Sequence, residues 1–353
     1  MKILIAEDDA ALAGFVRQGL QGEHYAVDVV EDGEQARAMG SEFDYDLVIL
    51  DLNLPKVDGV SVLRHLRLKR PSLPVLVLTQ RVKVEDRVQC LDIGADDYVP
   101  KQLASTSLNI VRIRADLVTK IKAAAESQRS REHAVLASPR SPIRAVEFGA
   151  TGVRTFNLAI VAVGISTGGP KALQQILPTL PADFPVPMLV VQHMPPGFTA
   201  PFANRLNNLC AASVCEAAHG DVLRPGLVYI APGGSQLTLD RSGNSRTTVC
   251  LSDKPENQLH APSVDITMQS VAAIFGSHAM GVIMTGMGSD GAQGMNAIHR
   301  AGGFTLGQDE SSCAVYGMPR VCAEMEILDR VVPLSGITQE ILQATRYRKA
   351  SAG

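Results

Sequence analysis

The sequence has 353 residues, of which 46% are hydrophobic and 20% are charged, and its formal net charge is −3. A chain of this length exceeds a single ordinary hydrophobic core and predicts two domains. The slightly negative charge, with no basic face interleaved with aromatic residues, argues against nucleic acid as a partner.

The cysteines and the hydrophobic segments indicate where the protein works. No CxxC pair and no Cys/His ligand spacing occurs, so reduced packing cysteines are favoured over a disulfide framework or a zinc site. The N-terminal segment MKILIAEDD lacks the apolar core of a signal peptide, and no apolar run is long enough for a bilayer span. We expect a cytoplasmic protein without membrane insertion. The cysteines are Cys90, Cys210, Cys215, Cys250, Cys313 and Cys322.

The first 104 residues alternate short apolar strands with helical stretches, which favours a parallel sheet with helices on both faces. A helical pattern follows over 105–125, and the first domain is placed at 1–125. Strands are predicted at 2–6, 25–30, 46–50 and 74–78, with a weaker one near Tyr98.

Three acidic residues follow strands of this predicted sheet directly. Glu7 and Asp8 come after the first strand, and Asp51 comes after the third. Ligands of open parallel sheets bind beyond the carboxyl ends of the strands, so the three carboxylates are expected to converge there. Oxygen ligands of this kind suit a hard divalent cation such as Mg²⁺.

Two further residues at the same edge complete a phosphate-accepting constellation. Thr79 closes the fourth strand with a hydroxyl, and Lys101 brings an ammonium just past the fifth. Metal, ammonium and hydroxyl are the groups needed to form and hold an acyl phosphate on Asp51. Taken singly, strand-end acids are also common turn residues, and Thr79 could cap a helix.

The motifs AEDD, VILDLNLPKVDG, VLVLT and GADDYVPK resemble the response-regulator receiver family over residues 1–104. The resemblance implies a flavodoxin-like (βα)5 fold and phosphorylation of Asp51 by a histidine kinase. It also implies switch or phosphate-binding roles for Thr79, Tyr98 and Lys101. Gln80 and Gln102 depart from the family pattern beside Thr79 and Lys101. The implied Mg²⁺ ligands are Glu7, Asp8, Asp51 and the carbonyl of Asn53.

The composition changes after the first domain. Residues 126–155 are rich in Arg, Ser and Pro and predict a linker, with a packed surface loop as the alternative. A second α/β domain is placed at 156–345 and a tail at 346–353. Its strands are predicted at 159–163, 188–192, 227–231, 248–252, 280–284 and 303–306.

Ser166 lies where the strand AIVAVG runs into ISTGGPKALQQIL, at a strand-to-helix turn. The following glycines permit close backbone approach, and the N–H groups at a helix start help stabilise an oxyanion. The segment GISTG also fits the GxSxG nucleophile pattern. A phosphate-binding loop or a plain N-cap serine is the alternative, although neither GxGxxG nor GxxxxGK[ST] is present.

His193 and Asp290 are the candidate partners of Ser166. His193 ends the strand MLVVQHM, and Asp290 follows the strand in GVIMTGMGSDGAQG, so both reach the same sheet edge. Asp265 is the rival acid, and a capping role is the alternative for Asp290. The order Ser–His–Asp differs from that of α/β-hydrolases and predicts a different fold with the same chemistry. Ser166 attacks a carbonyl, His193 relays the proton and Asp290 orients the imidazole.

The motifs VGISTGGP, VQHMPPGFTAPFANRLN, GLVYIAPGG, PSVD and TGMGSDGA resemble the chemotaxis protein-glutamate methylesterases, the family often called CheB, over about 157–342. The resemblance implies a three-layer, mostly parallel α/β/α hydrolase domain. It implies hydrolysis of glutamyl γ-methyl esters and deamidation of glutamines on methyl-accepting chemoreceptors, with no cofactor for the hydrolysis. It maps the oxyanion donors onto the N–H groups of Thr167 and Met287. Ile165 stands where the family more often has a small residue.

The pairing of the two domains predicts regulation by autoinhibition. The unphosphorylated first domain would restrain the Ser166 site, and phosphorylation of Asp51 would release it. Two alternatives stay open. One is a related methylesterase that acts on a signalling protein outside chemotaxis, and the other is a phosphorylation-gated binding module with a degenerate hydrolase site.

Overall fold

The structure is a computed structural model that describes residues 1–71, 73–79, 90, 93–101, 121, 157–241, 246–253 and 260–347. The chain divides into two compact units, Met1–Gln128 and Arg129–Gly353. The linker predicted at 126–155, most of the helix predicted at 105–125 and the end of the tail lie outside the described residues. Ile121 is helical and buried in the core of the first unit.

The first unit is a parallel five-stranded sheet with the strand order β2-β1-β3-β4-β5, which confirms the predicted flavodoxin-like fold class. Each described helix begins after an aspartate whose carboxylate accepts first-turn N–H groups: Asp9, Asp32 and Asp58. The strands are β1 Lys2–Ala6, β2 Ala26–Val30, β3 Leu47–Asp51, β4 Val75–Thr79 and β5 Asp97–Pro100. The helices are α1 Ala10–Gln21, α2 Gly33–Glu42 and α3 Gly59–Lys69.

The second unit contains a parallel seven-stranded sheet and a separate antiparallel hairpin. The sheet order is β14-β13-β12-β6-β7-β9-β8, and the hairpin pairs β10 with β11. The strands are β6 Ile160–Ile165, β7 Met188–Gln192, β8 Ser213–Glu216, β9 Leu227–Ile230, β10 Ser235–Asp240, β11 Thr248–Asp253, β12 Ala279–Ile283, β13 Phe304–Gln308 and β14 Arg330–Val332.

Helices connect the strands of the second sheet. They are α4 Gly169–Ile176, α5 Thr199–Leu209, α6 Val264–Phe275, α7 Ala292–Arg300, α8 Met318–Glu324 and α9 Leu334–Ala344, with 3₁₀ turns at Leu177–Thr179 and Gly276–His278. Within the described ranges, none of the helices combines the length and the hydropathy that a bilayer crossing requires.

The sequence predicted six of the nine strands that the structure shows in the described part of the second unit. The other three were not predicted. Two of these, β8 and β14, are short edge strands, and β10 is one arm of the hairpin. The strand predicted at 248–252 forms the other arm, β11, and so lies outside the main sheet. The five residues of β7 and the six of β6 are all buried, which explains why their apolar runs are readable.

Each parallel sheet has an interior point at which its strand order reverses. In the first sheet the reversal lies between β1 and β3, and in the second it lies between β6 and β12. The crevice at such a point opens beyond the carboxyl ends of the strands and is the usual ligand position in open α/β sheets. The residues predicted to be functional lie at the carboxyl ends of these strands or of their neighbours in both units.

Candidate active site and phosphoacceptor site

Lys101, Glu7 and Asp51 form a buried charged cluster at the carboxyl edge of the first sheet. The Nζ atom of Lys101 lies 2.7 Å from Oε1 of Glu7 and 2.9 Å from Oδ2 of Asp51. All three side chains are at most 3% exposed. Burial raises the pKa of Glu7, although the hydrogen bond and the charge of Lys101 oppose the shift. One ammonium therefore serves two carboxylates.

Glu7, Asp8 and Asp51 each place one carboxylate oxygen within 4.8 Å of the corresponding oxygens of the other two. Oδ1 of Asp51 is buried and accepts no hydrogen bond from any described residue. A buried carboxylate oxygen without a donor is costly unless a cation or a further donor reaches it. The three side chains offer only carboxylate oxygens as metal ligands, and such ligands suit Mg²⁺.

Thr79 is the last residue of β4 and lies one position past Leu78, the strand partner of Asp51. Tyr98 pairs with Val77 in β5. The side chains of Thr79 and Tyr98, together with Gln80 and Gln102, lie outside the described residues. Asn53 is exposed, two positions after Asp51.

Ser166, His193 and Asp290 come together at the carboxyl edge of the second sheet. Ser166 follows β6 directly, His193 follows β7, and Asp290 ends the loop after β12. Nδ1 of His193 lies 3.1 Å from Oγ of Ser166, and Nε2 lies 2.7 Å from Oδ2 of Asp290. The backbone N–H of His193 also donates to the carbonyl of Ile165, which ties the two strand ends together.

The carboxylate of Asp290 is surrounded by donors. Ser263 donates through its hydroxyl at 2.8 Å, and the backbone N–H groups of Val264 and Asp265 donate at 2.8 and 3.0 Å. These N–H groups open helix α6, whose positive end favours a negative charge. Burial opposes ionisation of Asp290, but the hydrogen bond from His193 and these donors lower its pKa well below the usual range.

This setting determines the roles of the two imidazole nitrogens. Because Asp290 is ionised and can only accept, Nε2 of His193 carries the proton in this pair. Nδ1 is then the acceptor that faces the hydroxyl of Ser166. The arrangement can remove a proton from that hydroxyl.

The loop after β12 packs closely against Ser166. The backbone N–H of Ser166 donates to the carbonyl of Thr285 at 3.0 Å. A Cβ on Gly286 would lie 2.8 Å from Cβ of Ser166, so a larger residue there would displace the serine. Within the described part of the chain, the N–H groups of Thr167 and Met287 donate no backbone hydrogen bond. They are the kind of donor that can receive an oxyanion.

Two glycines allow helix α4 to begin directly behind Ser166. Gly168 has a φ of 79°, in the left-handed region that favours glycine. A Cβ on Gly169 would come within 1.9 Å of Oε1 of Gln192. The close approach that the glycines of ISTGGP predict is therefore present in the structure.

Asp265, the rival acid, takes a different position. One oxygen of its carboxylate, Oδ1, accepts from the backbone N–H groups of Gly291 at 2.9 Å and Gly294 at 2.8 Å. It therefore satisfies N–H groups at the start of α7. Asp290, in contrast, accepts hydrogen bonds from the first turn of α6 and also contacts His193. Its one carboxylate therefore caps a helix and binds the histidine.

Three polar residues around the site were not singled out by the sequence. Gln192 is buried and donates from Nε2 to the carbonyls of Ser166 and His193 at 3.0 and 3.1 Å. His260 stacks on His193, with ring centroids 4.1 Å apart. Gln236 contacts the segment that carries His260. A buried glutamine at the end of an apolar strand, as in VVQ, is the available signal for Gln192, whereas the other two depend on tertiary packing.

Comparisons with known proteins give a family match for each of the two units. The family model described as CheB methylesterase matches residues 161–341, and the model described as response regulator receiver domain matches residues 3–111. The protein-glutamate methylesterase/protein-glutamine glutaminase of Symbiobacterium thermophilum is 39% identical, over 98% of this chain and 97% of the relative. A relative from Oleidesulfovibrio alaskensis with the same name, numbered 1, is 36% identical over 98% of this chain and 99% of its own length.

A solved structure resembles the second unit. The crystal structure of the Thermotoga maritima CheB methylesterase catalytic domain is 40% identical in sequence, with a TM-score of 0.51. The match covers 53% of this chain and 98% of that chain.

Proposed function

Because the chain belongs to the CheB methylesterase family, we propose that it hydrolyses γ-methyl esters of glutamate side chains on methyl-accepting chemoreceptors, releasing methanol, and deamidates particular glutamines there. Removing methyl groups from receptors would give sensory adaptation. The observation that carries the proposal is the continuous path from Oγ of Ser166 through His193 to Asp290, at 3.1 and 2.7 Å.

Ser166 is the proposed nucleophile. Its Oγ attacks the ester carbonyl while Nδ1 of His193 accepts the hydroxyl proton. Asp290 accepts the hydrogen bond from Nε2 and stabilises the imidazolium that forms. The same proton then passes from Nδ1 to the leaving group, which departs as methanol from an ester or as ammonia from a glutamine amide. Water attacks the resulting acyl-enzyme with His193 as the base, which regenerates Ser166 and leaves a glutamate side chain on the receptor.

The N–H groups of Thr167 and Met287 are the proposed oxyanion donors. Their role is to stabilise the negative oxygen of each tetrahedral intermediate. The support for this is positional, since Thr167 follows the nucleophile and Met287 follows Gly286, which lies against Ser166.

Asp51 is the proposed phosphorylation site, with a histidine kinase as phosphodonor. Glu7, Asp8, Asp51 and the carbonyl of Asn53 are the proposed Mg²⁺ ligands, and bound Mg²⁺ would neutralise phosphoryl oxygens during transfer. Lys101 would pair with the acyl phosphate, and Thr79 and Tyr98 would respond to it. We propose that phosphorylation raises the activity at Ser166 by relieving autoinhibition.

Replacement of the nucleophile tests the proposed activity. Ser166→Ala is expected to lower methanol release from methylated receptor by about a millionfold, to background, while Asp51 still accepts phosphate. The matched control is Ser277→Ala, an exposed serine at the opposite, amino-terminal edge of the sheet, which should keep wild-type activity. Retained esterase activity in Ser166→Ala would contradict the assignment. Failure of a fluorophosphonate probe to label Ser166 in the wild type would favour a degenerate binding module.

A further inference from the structure

The segment of residues 260–263 contacts both His193 and Asp290. The imidazole of His260 stacks on that of His193, with ring centroids 4.1 Å apart and planes within 6° of parallel. Three residues later, the hydroxyl of Ser263 donates to Oδ1 of Asp290 at 2.8 Å. The position of this segment therefore affects two members of the proposed triad at once.

The side chain of Gln236 joins the two ends of that segment. Gln236 is the second residue of β10 and is 1% exposed. Its Nε2 donates to the carbonyl of His260 at 2.7 Å, and its Oε1 accepts from the N–H of Ser263 at 2.8 Å. A carboxamide supplies a donor and an acceptor in fixed directions, so it satisfies both backbone groups only when the segment has this conformation.

We infer that Gln236 is a positioning residue for the proposed hydrolysis, an inference that rests on the proposed function of the Ser166 site. Its hydrogen bonds go to His260 and Ser263, and it acts through them. Ser263 and the two N–H groups that follow it hold the carboxylate of Asp290, while His260 covers one face of the His193 ring.

The expected size of the effect follows from the sensitivity of proton transfer to geometry. Loss of the amide removes the link between the two ends of the segment and leaves the His260 carbonyl and the buried N–H of Ser263 without this partner. A displacement of about 1 Å in a reacting group can cost about a hundredfold in rate. A weaker contact between Asp290 and His193 also destabilises the imidazolium, which moves the acid limb of the rate profile to lower pH.

Thr267→Val is the matched control for a purely structural role. Thr267 is fully buried on α6, and its hydroxyl donates to the carbonyl of Leu237 in β10 at 2.8 Å. The substitution removes a buried hydrogen bond between β10, the strand that carries Gln236, and α6, the helix that begins after Ser263. It leaves the contacts of His260 and Ser263 in place.

The experiment measures the rate of Ser166 labelling by a fluorophosphonate in the full chain, as a function of pH. Gln236→Leu, and Gln236→Met as a second apolar replacement of similar length, are expected to slow labelling about 10- to 100-fold and to shift the acid limb to lower pH. Thr267→Val is expected to lower the melting temperature and to label within about twofold of wild type.

The outcomes separate the two proposals. Wild-type rate and pH profile in either folded Gln236 variant would overturn the inference. Equal slowing in Thr267→Val would overturn it as well, because general loss of packing would then explain the effect. A wild-type chain that is not labelled at Ser166 would contradict the proposed function itself and the inference with it.

Discussion

The two units place carboxylates at the same edge of similar parallel sheets but satisfy them differently. In the first unit, Glu7 and Asp51 share one ammonium, and Oδ1 of Asp51 has no donor among the described residues. In the second unit, Asp290 accepts from Ser263, Val264, Asp265 and His193. Burial raises the pKa of Glu7, whereas the donors lower that of Asp290.

The difference corresponds to the two proposed tasks. A cluster of carboxylates with few hydrogen-bond donors is stabilised when a cation, or a phosphoryl group with its metal, binds there. Such a cluster therefore suits a site that changes state. A carboxylate with a complete set of donors stays ionised and fixed, so it suits the orientation of an imidazole. The carboxyl edge of a parallel sheet thus suits both the proposed switch and the proposed catalytic site.

Among changes to these carboxylates, the largest effect is expected at Asp290, which has the complete set of donors. Asp290→Asn should lower kcat by about 10⁴-fold, because an amide can donate to Nε2 of His193 and favours the wrong tautomer. Steady-state methanol release from methylated receptor measures this. Asp265→Asn is the control and should lower the stability while keeping kcat within about threefold, since it removes only part of a helix cap. A larger loss of kcat in Asp265→Asn than in Asp290→Asn would exchange their roles.

Removal of the shared ammonium tests the other half of the comparison. Lys101→Met leaves Glu7 and Asp51 buried together without a cation and should lower the free energy of unfolding by about 3 kcal/mol. Mg²⁺ should restore part of the loss. Lys56→Met is the control, because its ion pair with Asp32 at 2.6 Å involves a half-exposed lysine that water screens, so its loss should lower the stability much less. Urea unfolding gives both values, and equal losses would contradict the account of the cluster.

A smaller effect is expected in acid. Because folding lowers the pKa of Asp290, its contribution to stability is present above the ordinary carboxyl range and is lost as pH falls through the folded value. Unfolding free energies measured from about pH 7 to pH 3 should therefore fall less steeply in Asp290→Asn, by about 1–2 kcal/mol over the range. Identical slopes in the variant and the wild type would show that the carboxylate is not stabilised by its donors.

Much of the fold was predictable because the buried strands are continuous apolar runs. VILD and MLVVQ have buried residues throughout, so their limits and their parallel setting can be read from the sequence. The hairpin strand β10 has three buried residues among six positions without regular alternation, and β14 has only three residues, so neither gives a strong signal. The position of β11 outside the main sheet depends on tertiary pairing with β10.

The residues of the two sites also fall into those that the sequence predicts and those that it does not. Residues that end a strand or directly follow one, such as Asp51, Ser166 and His193, were predictable because parallel strands bring their carboxyl ends to one edge. The groups that orient them were not, because Gln236 and His260 reach the site from a hairpin and a connecting segment. The spacing of residues in the sequence does not show that Gln236 and His260 lie near Ser166 and His193.

The coupling of the two sites is tested most directly by methanol release from methylated receptor, with and without Mg²⁺ and a small acyl-phosphate donor. We expect the donor to raise the rate about 5- to 150-fold in the wild-type chain, the usual range for coupled sites. We expect no increase in Asp51→Asn, in which Ser166 is intact. Equal rates with and without the donor in the wild type would contradict the claim that the first site controls the second.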